Sequence, residues 1–574
     1  MAFKEVEFIL EYNDRQSVKF YLNGPPLPRI DKSAPGITVI EPEGLQILDE
    51  LAFGDSHYDE RDKIVEIWSR LRIQCNYVLR YQKNISLQHR IVFEGARTEL
   101  IRIFTLGLTG FDTPGSLNAL PEARVAMQSM ASAFAAYKPL LDARIPGAYP
   151  KIEAGFAKSV KKLSEAKDFD RFDRLSFLRE CVNPLFELLG DLQRQLGVEY
   201  LSEVSSKKQS LTLNLRAKQI FSTDLLNAYA FAKMPEAEIT PERIALGRLL
   251  FFDPILSANN ERSCASCHDP AKAFTDGLDK SIALGRADKI NRNSPTLINC
   301  VYSDGYFYDL REPFLERQMK HVFMSADEFG QTFEQAAEKL RHSEEYAELL
   351  FRKAYPNAAG ELFGQAQITN AIAAYVTTLV GFNSPFDRYA RGETHQIGPA
   401  VARGFNLFMG KAACGTCHFA PVFNGTVPPW YDESESEVLG VPASKHPPYE
   451  IDGDWGRAMS GRPYDEAAIY IYSFKTTTVR NAALTAPYMH NGVFETLEEV
   501  MDFYNKGGGA GLGIALPHQT LSDAPLKLNK REIGDIIAFM RALTDTSATT
   551  AMPDYLPGFD KKPEWNSRKM GGIY

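Results

Sequence analysis

Apolar residues recur at three- and four-residue spacing through most of the chain between residues 59 and 200. The runs IVEIWSRLRIQCNYVL, ELIRIFTLGL, VAMQSMASAFAAY and RLSFLRECVNPLFELLGDLQRQL each lay an apolar stripe along a 3.6-residue helix. Turn-formers separate them: the cluster from Gly110 to Ser116, then Pro139, Pro146 and Pro150. The pattern predicts a helical bundle. Residues 1–58 lack it; KFYLNG alternates, LNGPPLPRIDKSAPG is rich in breakers, and the segment is predicted to be irregular. A connector over 211–240 ends at Thr240-Pro241-Glu242, where a capping threonine and a proline at the first helical position start a new helix. Two similar units follow. In each a helical stretch runs into a cysteine pair, IALGRLLFFDPILS before Cys264 and VARGFNLFMG before Cys414. The polar stretch 426–465, rich in Pro, Glu and Ser, is predicted to be a long surface loop.

Composition narrows the classes. The 574 residues suffice for about three to five units at roughly 100–200 residues each. With 44% apolar residues, real cores are affordable. The 64 basic and 73 acidic side chains give a net charge of −9 without blocks of one sign, which argues against a nucleic-acid partner. No run of about 18 apolar residues exists, so no transmembrane segment is expected.

Seven cysteines are too sparse for a disulfide scaffold, yet four stand in two identical frames, Cys264-Ala-Ser-Cys267-His268 and Cys414-Gly-Thr-Cys417-His418. C-x-x-C-H is the spacing of c-type haem attachment. Two thiols three positions apart reach the two vinyl groups of one haem, and the next histidine becomes the proximal iron ligand. Zinc or two disulfides are the alternatives for such pairs, but the pairs lie far apart and each carries the same trailing histidine. Two covalent haems c are expected. Such proteins mature outside the cytoplasmic membrane, so a periplasmic location is expected. The opening MAFKEVEFIL lacks a basic region followed by an apolar one, so a signal removed from the precursor is presumed. Cys75, Cys181 and Cys300 have apolar neighbours and read as buried small hydrophobes.

From about Pro241 to Thr544 the chain resembles the bacterial dihaem cytochrome c peroxidases and their MauG-like relatives. The strings that carry the resemblance are ALGRLLFFDP, SCASCHDPAKAFTDG, RNSPTLIN, CGTCH, VRNAALTAPYMHNGVFETLEEV and IGDIIAFMRALT. It implies a mainly α fold in three parts: an N-terminal helical extension over 1–215, a first cytochrome c-like domain with the peroxidatic haem over 216–395, and a second with the electron-transfer haem over 396–574. It further implies that His268 and His418 are proximal ligands and that Gln318 and Glu328 form the distal peroxide pair. A calcium ion would be held by Asn293 with the backbone carbonyls of Thr485 and Pro487, the oxygen set a hard cation prefers. Glu328 could relay a proton between the oxygens of bound peroxide.

Three positions depart from the family pattern. Peroxidases that need reductive activation carry a blocking histidine shortly before NSPT, whereas this chain has Ser281-Ile-Ala-Leu-Gly-Arg286, so the first iron is expected to be open; His321 and Met324 are nearby alternatives for closing it. Tyr504 stands after TLEE, where MauG-like proteins use a tyrosinate and peroxidases usually a methionine; Met489 and Met501 are the fallback ligands. Phenolate favours Fe(III), whereas thioether favours Fe(II). Tyr308 in FYDLR replaces a tryptophan that lies between the haems, and Val322 a proline. Glu94-Gly-Ala-Arg97 and FTLGLTGFDTP resemble an imelysin-like helical extension, read as a docking domain, a homodimer interface or a second binding site; His57 and His89 read as structural or solvated.

The expected function is a dihaem oxidoreductase that reduces hydrogen peroxide with electrons from a small cytochrome or cupredoxin. The alternatives are a MauG-like enzyme that oxidises side chains of a partner protein, and a non-catalytic electron carrier or haem sensor.

Overall fold

The computed structural model describes residues 1–24, 27–31, 34, 36–54, 60–82, 86–204, 211–285, 288–358 and 362–573. Helices hold 48% of the chain, and among the described residues the ladders are two antiparallel strand pairs, so the fold is mainly α. Among the described residues no helix is long and apolar enough to cross a membrane.

The two haem-motif units repeat one construction. In the first, helix Pro241–Phe252 crosses helix Gln365–Thr377 at Gly247, where a Cβ would stand 1.8 Å from the Ala371 carbonyl oxygen. In the second, helix Pro399–Phe408 crosses Lys530–Ala542 at Gly404, where a Cβ would stand 1.8 Å from the Asp535 carbonyl oxygen. Only glycine permits so close an approach. Each unit also has a left-handed asparagine that ties the chain after its cysteine frame to the segment just past the second crossing helix. Asn299 (φ 61°) accepts from Gly381 N–H at 2.8 Å, and Asn481 (φ 60°) accepts from Asp545 N–H at 2.7 Å.

The described part of the N-terminal unit is mainly helical, with long helices His89–Arg102, Ala119–Ala135, Ala148–Glu165 and Asn183–Gln195 and one short strand pair, Arg29–Ile30 with Val39–Ile40. It packs on the second haem unit: Phe104 stacks on Phe405 at 6.3 Å, Asn406 accepts from Leu175 N–H, and Thr109 abuts Gly415 inside the second cysteine frame. At the other end, the final residues return to the first unit. Arg568 pairs with Asp253 at 2.6 Å, and Gly571 N–H donates to Phe252.

Several expectations need correction. Residues 1–58 are not irregular: they include helices Glu7–Asn13 and Leu45–Phe53. The first buries Glu7 and Glu11 with Phe8, because Arg102 reaches Glu7 at 2.7 Å and Lys4 reaches Asp112 at 3.0 Å; an inward face made of ion pairs leaves no apolar period. The stretch 426–465 is a surface loop only in its later part: 426–442 is largely buried, whereas 443–463 is mostly exposed or half-exposed. Thr426, Tyr431 and Val438 are each 1% exposed, and its polar side chains bond within the protein, Thr426 to the Tyr302 carbonyl and Arg457 to Asp465. Cys75 is exposed rather than buried, Cys181 is buried, and Cys300 lies between. His89 is exposed and bonds the Tyr137 hydroxyl at 3.0 Å, and His57 lies outside the described residues.

Candidate active site

Cys264, Cys267 and His268 form one wall of a cavity of about 880 Å3. A serine box opens this turn: Ser263 N–H donates to Ser266 Oγ at 3.1 Å, which fixes the short helix Cys264–Cys267. His268 Nδ1 lies 3.1 Å from the Phe274 carbonyl oxygen. A carbonyl can only accept, so Nδ1 carries the proton and Nε2 keeps its lone pair for a metal. Burial pushes the imidazole below its usual pKa, so it stays neutral.

Helix Leu315–Met324 supplies a second wall. Leu315, Gln318, Met319, Val322 and Phe323 line the cavity, one face at i, i+3, i+4 spacing. His321 and Met324 belong to the other face. His321 Nε2 lies 3.4 Å from Glu312, Met324 is 61% exposed, and neither lines the cavity. Glu328 also lines it, from the turn after this helix, where Glu328 N–H donates to Ser325 at 3.1 Å. Burial, opposed by Ser325, Arg311 and Arg262, raises its carboxyl above the ordinary range. A carboxyl so placed can hold a proton and release it nearer to neutral pH than a solvated one. Gln318 and Glu328 therefore share a cavity with His268.

Tyr308 lines the cavity from the side of the second unit. Its hydroxyl donates to Asn293 Oδ1 at 3.3 Å, and its carbonyl accepts from Lys475 N–H at 2.6 Å. Two residues beyond Lys475, the Thr477 carbonyl lies 3.0 Å from His418 Nδ1, and the Phe423 carbonyl 3.3 Å from it. A short run of main chain thus joins Tyr308 to His418. The same acceptor logic leaves His418 Nε2 free, and burial pushes this histidine down to about 4. Tyr504, on helix Leu497–Asn505, lies within electrostatic reach of Cys417 and Cys414. Burial raises its phenol, so only a cation against the oxygen would hold it as phenolate. Met501 is buried in the core at 3% exposure, and Met489 lies at the edge of the apolar cluster around Phe494 that also includes Tyr504.

Asn293 is tied to the loop that carries Thr485 and Pro487, since its N–H donates to the His490 carbonyl at 2.7 Å. Its Nδ2 donates to the Leu278 carbonyl at 2.7 Å, leaving Oδ1 to face Tyr308. Among the described residues no three His, Cys, Asp or Glu side chains gather as a metal cluster.

The residues fit a haem in each unit. Both histidines are oriented through Nδ1, and the first cavity is also lined by Lys475, half-buried, whose ammonium donates to the Gly305 carbonyl at 3.4 Å, and by Tyr306, whose buried hydroxyl has no partner among the described residues. A cation and an orphan hydroxyl in one cavity are suited to a carboxylated ligand such as a haem propionate. Sequence reasoning missed both, and nothing in the spacing around Lys475 marks it. Arg292 is held at the cavity edge by Asp309 at 2.6 Å and Asp454 at 2.5 Å.

The family model described as Di-haem cytochrome c peroxidase matches residues 241–395. The chain is 33% identical over 315 residues to the methylamine utilization protein MauG of Methylorubrum extorquens, covering 55% of this chain and 82% of that protein. It is 33% identical over 353 residues to the cytochrome-c peroxidase IdrP2 of a Pseudomonas species, covering 58% of this chain and 89% of that one. A crystal structure of a MauG-like protein associated with microbial copper homeostasis is 30% identical, covers 54% of this chain and 92% of its own, and has a TM-score of 0.46.

Proposed function

Because the chain belongs to the dihaem cytochrome c peroxidase and MauG family of oxidoreductases, we propose that it reacts with hydrogen peroxide in the cavity beneath Gln318 and Glu328 and draws two electrons from an external protein donor. The observation that carries this reading is one helix face and one turn, Gln318 and Glu328, lining the same cavity as His268 while His321 and Met324 point elsewhere. In this reading haem c, joined through Cys264 and Cys267 and through Cys414 and Cys417, supplies the redox-active iron.

The protein's own groups then divide the work. His268 and His418 are neutral, oriented ligands. Glu328 passes the proton of the near peroxide oxygen to the far one, so that water rather than hydroxide leaves, and Gln318 orients the peroxide by hydrogen bonding. Tyr308, which lines the cavity with Cys264 and Cys267 and accepts from Lys475 N–H, relays an electron, its phenolic proton having Asn293 Oδ1 as partner. Tyr504 is the anionic ligand of the second iron. Its phenolate would stabilise the oxidised metal and favour the second reading, a MauG-like enzyme that stores oxidising equivalents and oxidises a partner protein. A calcium ion bound by Asn293, Thr485 and Pro487, and a periplasmic location, belong to the same proposal.

The experiment is rapid mixing of the haem-loaded protein with peroxide, followed by a reduced small cytochrome c. Prompt re-reduction supports the peroxidase, and a long-lived oxidised state the MauG-like reading. Two low-spin haems with no spectral response to peroxide would overturn both.

A further inference from the structure

The N-terminal unit sits on the second haem unit, and at that junction two redox-active side chains touch. The ring centroids of Tyr12 and Trp430 are 5.8 Å apart at 47°. Trp430 is 8% exposed, and its indole N–H has no partner among the described residues. Its neighbour Tyr431 donates its hydroxyl to the Ala420 carbonyl at 2.7 Å, two residues past His418. On the other side, the Tyr12 hydroxyl donates to Glu94 Oε2 at 2.5 Å. Glu94 is 0% exposed and also accepts from Gln193 Nε2 at 3.3 Å and from Leu201 N–H at 3.1 Å. Gln193 Nε2 and Leu201 N–H can only donate, so Oε1 accepts from both and Oε2 is the atom that can take the Tyr12 proton; burial raises this carboxyl and favours the protonated form the transfer makes.

We propose that Trp430 and Tyr12, with Glu94 as proton acceptor, form a redox relay through which the N-terminal unit exchanges electrons with the second haem. The relay rests on the peroxide reading above, which supplies the oxidant. One electron passes from Trp430 to the peroxide-oxidised haem pair, leaving an indole radical cation. Tyr12 then gives one electron to the indole and its phenolic proton to Glu94, which becomes a carboxylic acid. A one-electron protein reductant at the surface returns the electron to Tyr12, and the proton comes back from Glu94. The direction of the middle step follows from charge. Among the described residues the Trp430 indole N–H has no acceptor to take its proton, so its radical stays a cation, whereas Tyr12 passes its proton to Glu94 and ends neutral. Tyr12 is only partly buried, beside the Arg15–Asp432 ion pair (2.7 Å) on the rim of this junction, so an external donor can reach it. This gives the extension a function: it carries the electron entry point for a haem whose attachment turn it covers.

The test is to mix the dihaem protein with one equivalent of peroxide without reductant, freeze it, and record electron paramagnetic resonance beside the haem absorbance. An organic radical signal is expected that changes width when the tyrosines are ring-deuterated, is lost in Tyr12→Phe and in Glu94→Gln, and is diminished in Trp430→Phe, while the haem absorbance still responds to peroxide in each variant. A signal that survives Tyr12→Phe and Trp430→Phe overturns the relay and leaves the peroxide reading standing, as does a haem response with no organic radical. If the haems of the unaltered protein do not respond to peroxide, the peroxide reading fails and the relay falls with it.

Discussion

The repeated helix crossings make a quantitative test of how the haem units are built. Gly404 lies inside helix Pro399–Phe408, ten residues before the second cysteine frame opens at Cys414, and a Cβ there would stand 1.8 Å from the Asp535 carbonyl oxygen and 2.5 Å from its carbon. Main chain cannot rotate away as a side chain can, and the Arg403–Asp535 pair at 2.7 Å clamps the same crossing. Gly404→Ala therefore has to push two helices apart by more than 1 Å, at the upper end of the about 1–3 kcal/mol typical of overpacking. Replacing a helical glycine by alanine returns about 1 kcal/mol, so the net loss is about 2 kcal/mol. Gly534, on the partner helix Lys530–Ala542, is the control: a Cβ there meets nothing within 4 Å, so Gly534→Ala gains the same helical preference without the clash and should stabilise by up to about 1 kcal/mol. Thermal unfolding of the haem-loaded variants, followed by far-ultraviolet dichroism and by the haem band, measures both. Gly404→Ala equal to or more stable than the parent, or both variants moving the same way, would refute the crossing geometry.

Three further outcomes follow from the sites. Glu328→Gln keeps the shape of the peroxide pocket but removes the proton relay, and should slow formation of the peroxide-derived state by about 10²–10⁴-fold in stopped-flow absorbance; an unchanged rate removes Glu328 from the chemistry. Tyr504→Phe should alter the low-spin signal of the second haem, and an identical spectrum would exclude the phenolate as ligand. Asp387, 0% exposed, is bonded to Arg480 at 2.8 Å; burial alone would raise its carboxyl, but the guanidinium wins and holds it below the usual range. A carboxyl depressed in the folded state contributes stability above its unfolded value near 3.9 and loses it as pH falls through the lower folded value. Acid unfolding of Asp387→Asn should accordingly show a flatter pH dependence below about pH 4 and a lower stability at neutral pH, by about 3–5 kcal/mol for a broken buried pair; an unaltered pH profile in urea melts would show that the pair is not the source.

The frames Cys264–His268 and Cys414–His418 were legible because haem attachment constrains side chains at fixed spacing, and helices Ala148–Glu165 and Asn183–Gln195 because each buries an apolar stripe; His89–Arg102 buries Glu94, Arg97, Glu99 and Arg102 as well. What stayed hidden is held by main chain or by charge. The Phe274 and Thr477 carbonyls that orient the two histidines carry no side-chain signature, and Thr477 is 59 residues from His418. Helix Glu7–Asn13 is fixed by Lys4, Arg102 and Asp112, partners about 100 residues apart that no local window joins. Buried ions need partners, and Lys4, Glu7, Arg102 and Asp112 pair with one another inside the N-terminal unit, whereas burial pushes the Glu11 and Glu99 carboxyls up toward their neutral forms. The extension is therefore specified on its own, by electrostatics, and only then laid against the second haem unit through the Phe104–Phe405 stack and the Tyr12–Trp430 contact. That order matters for function: a unit with its own ionic core can present Tyr12 and Glu94 in a fixed geometry without depending on the haem unit to shape them, so substitutions at Trp430 should change electron transfer before they change the fold.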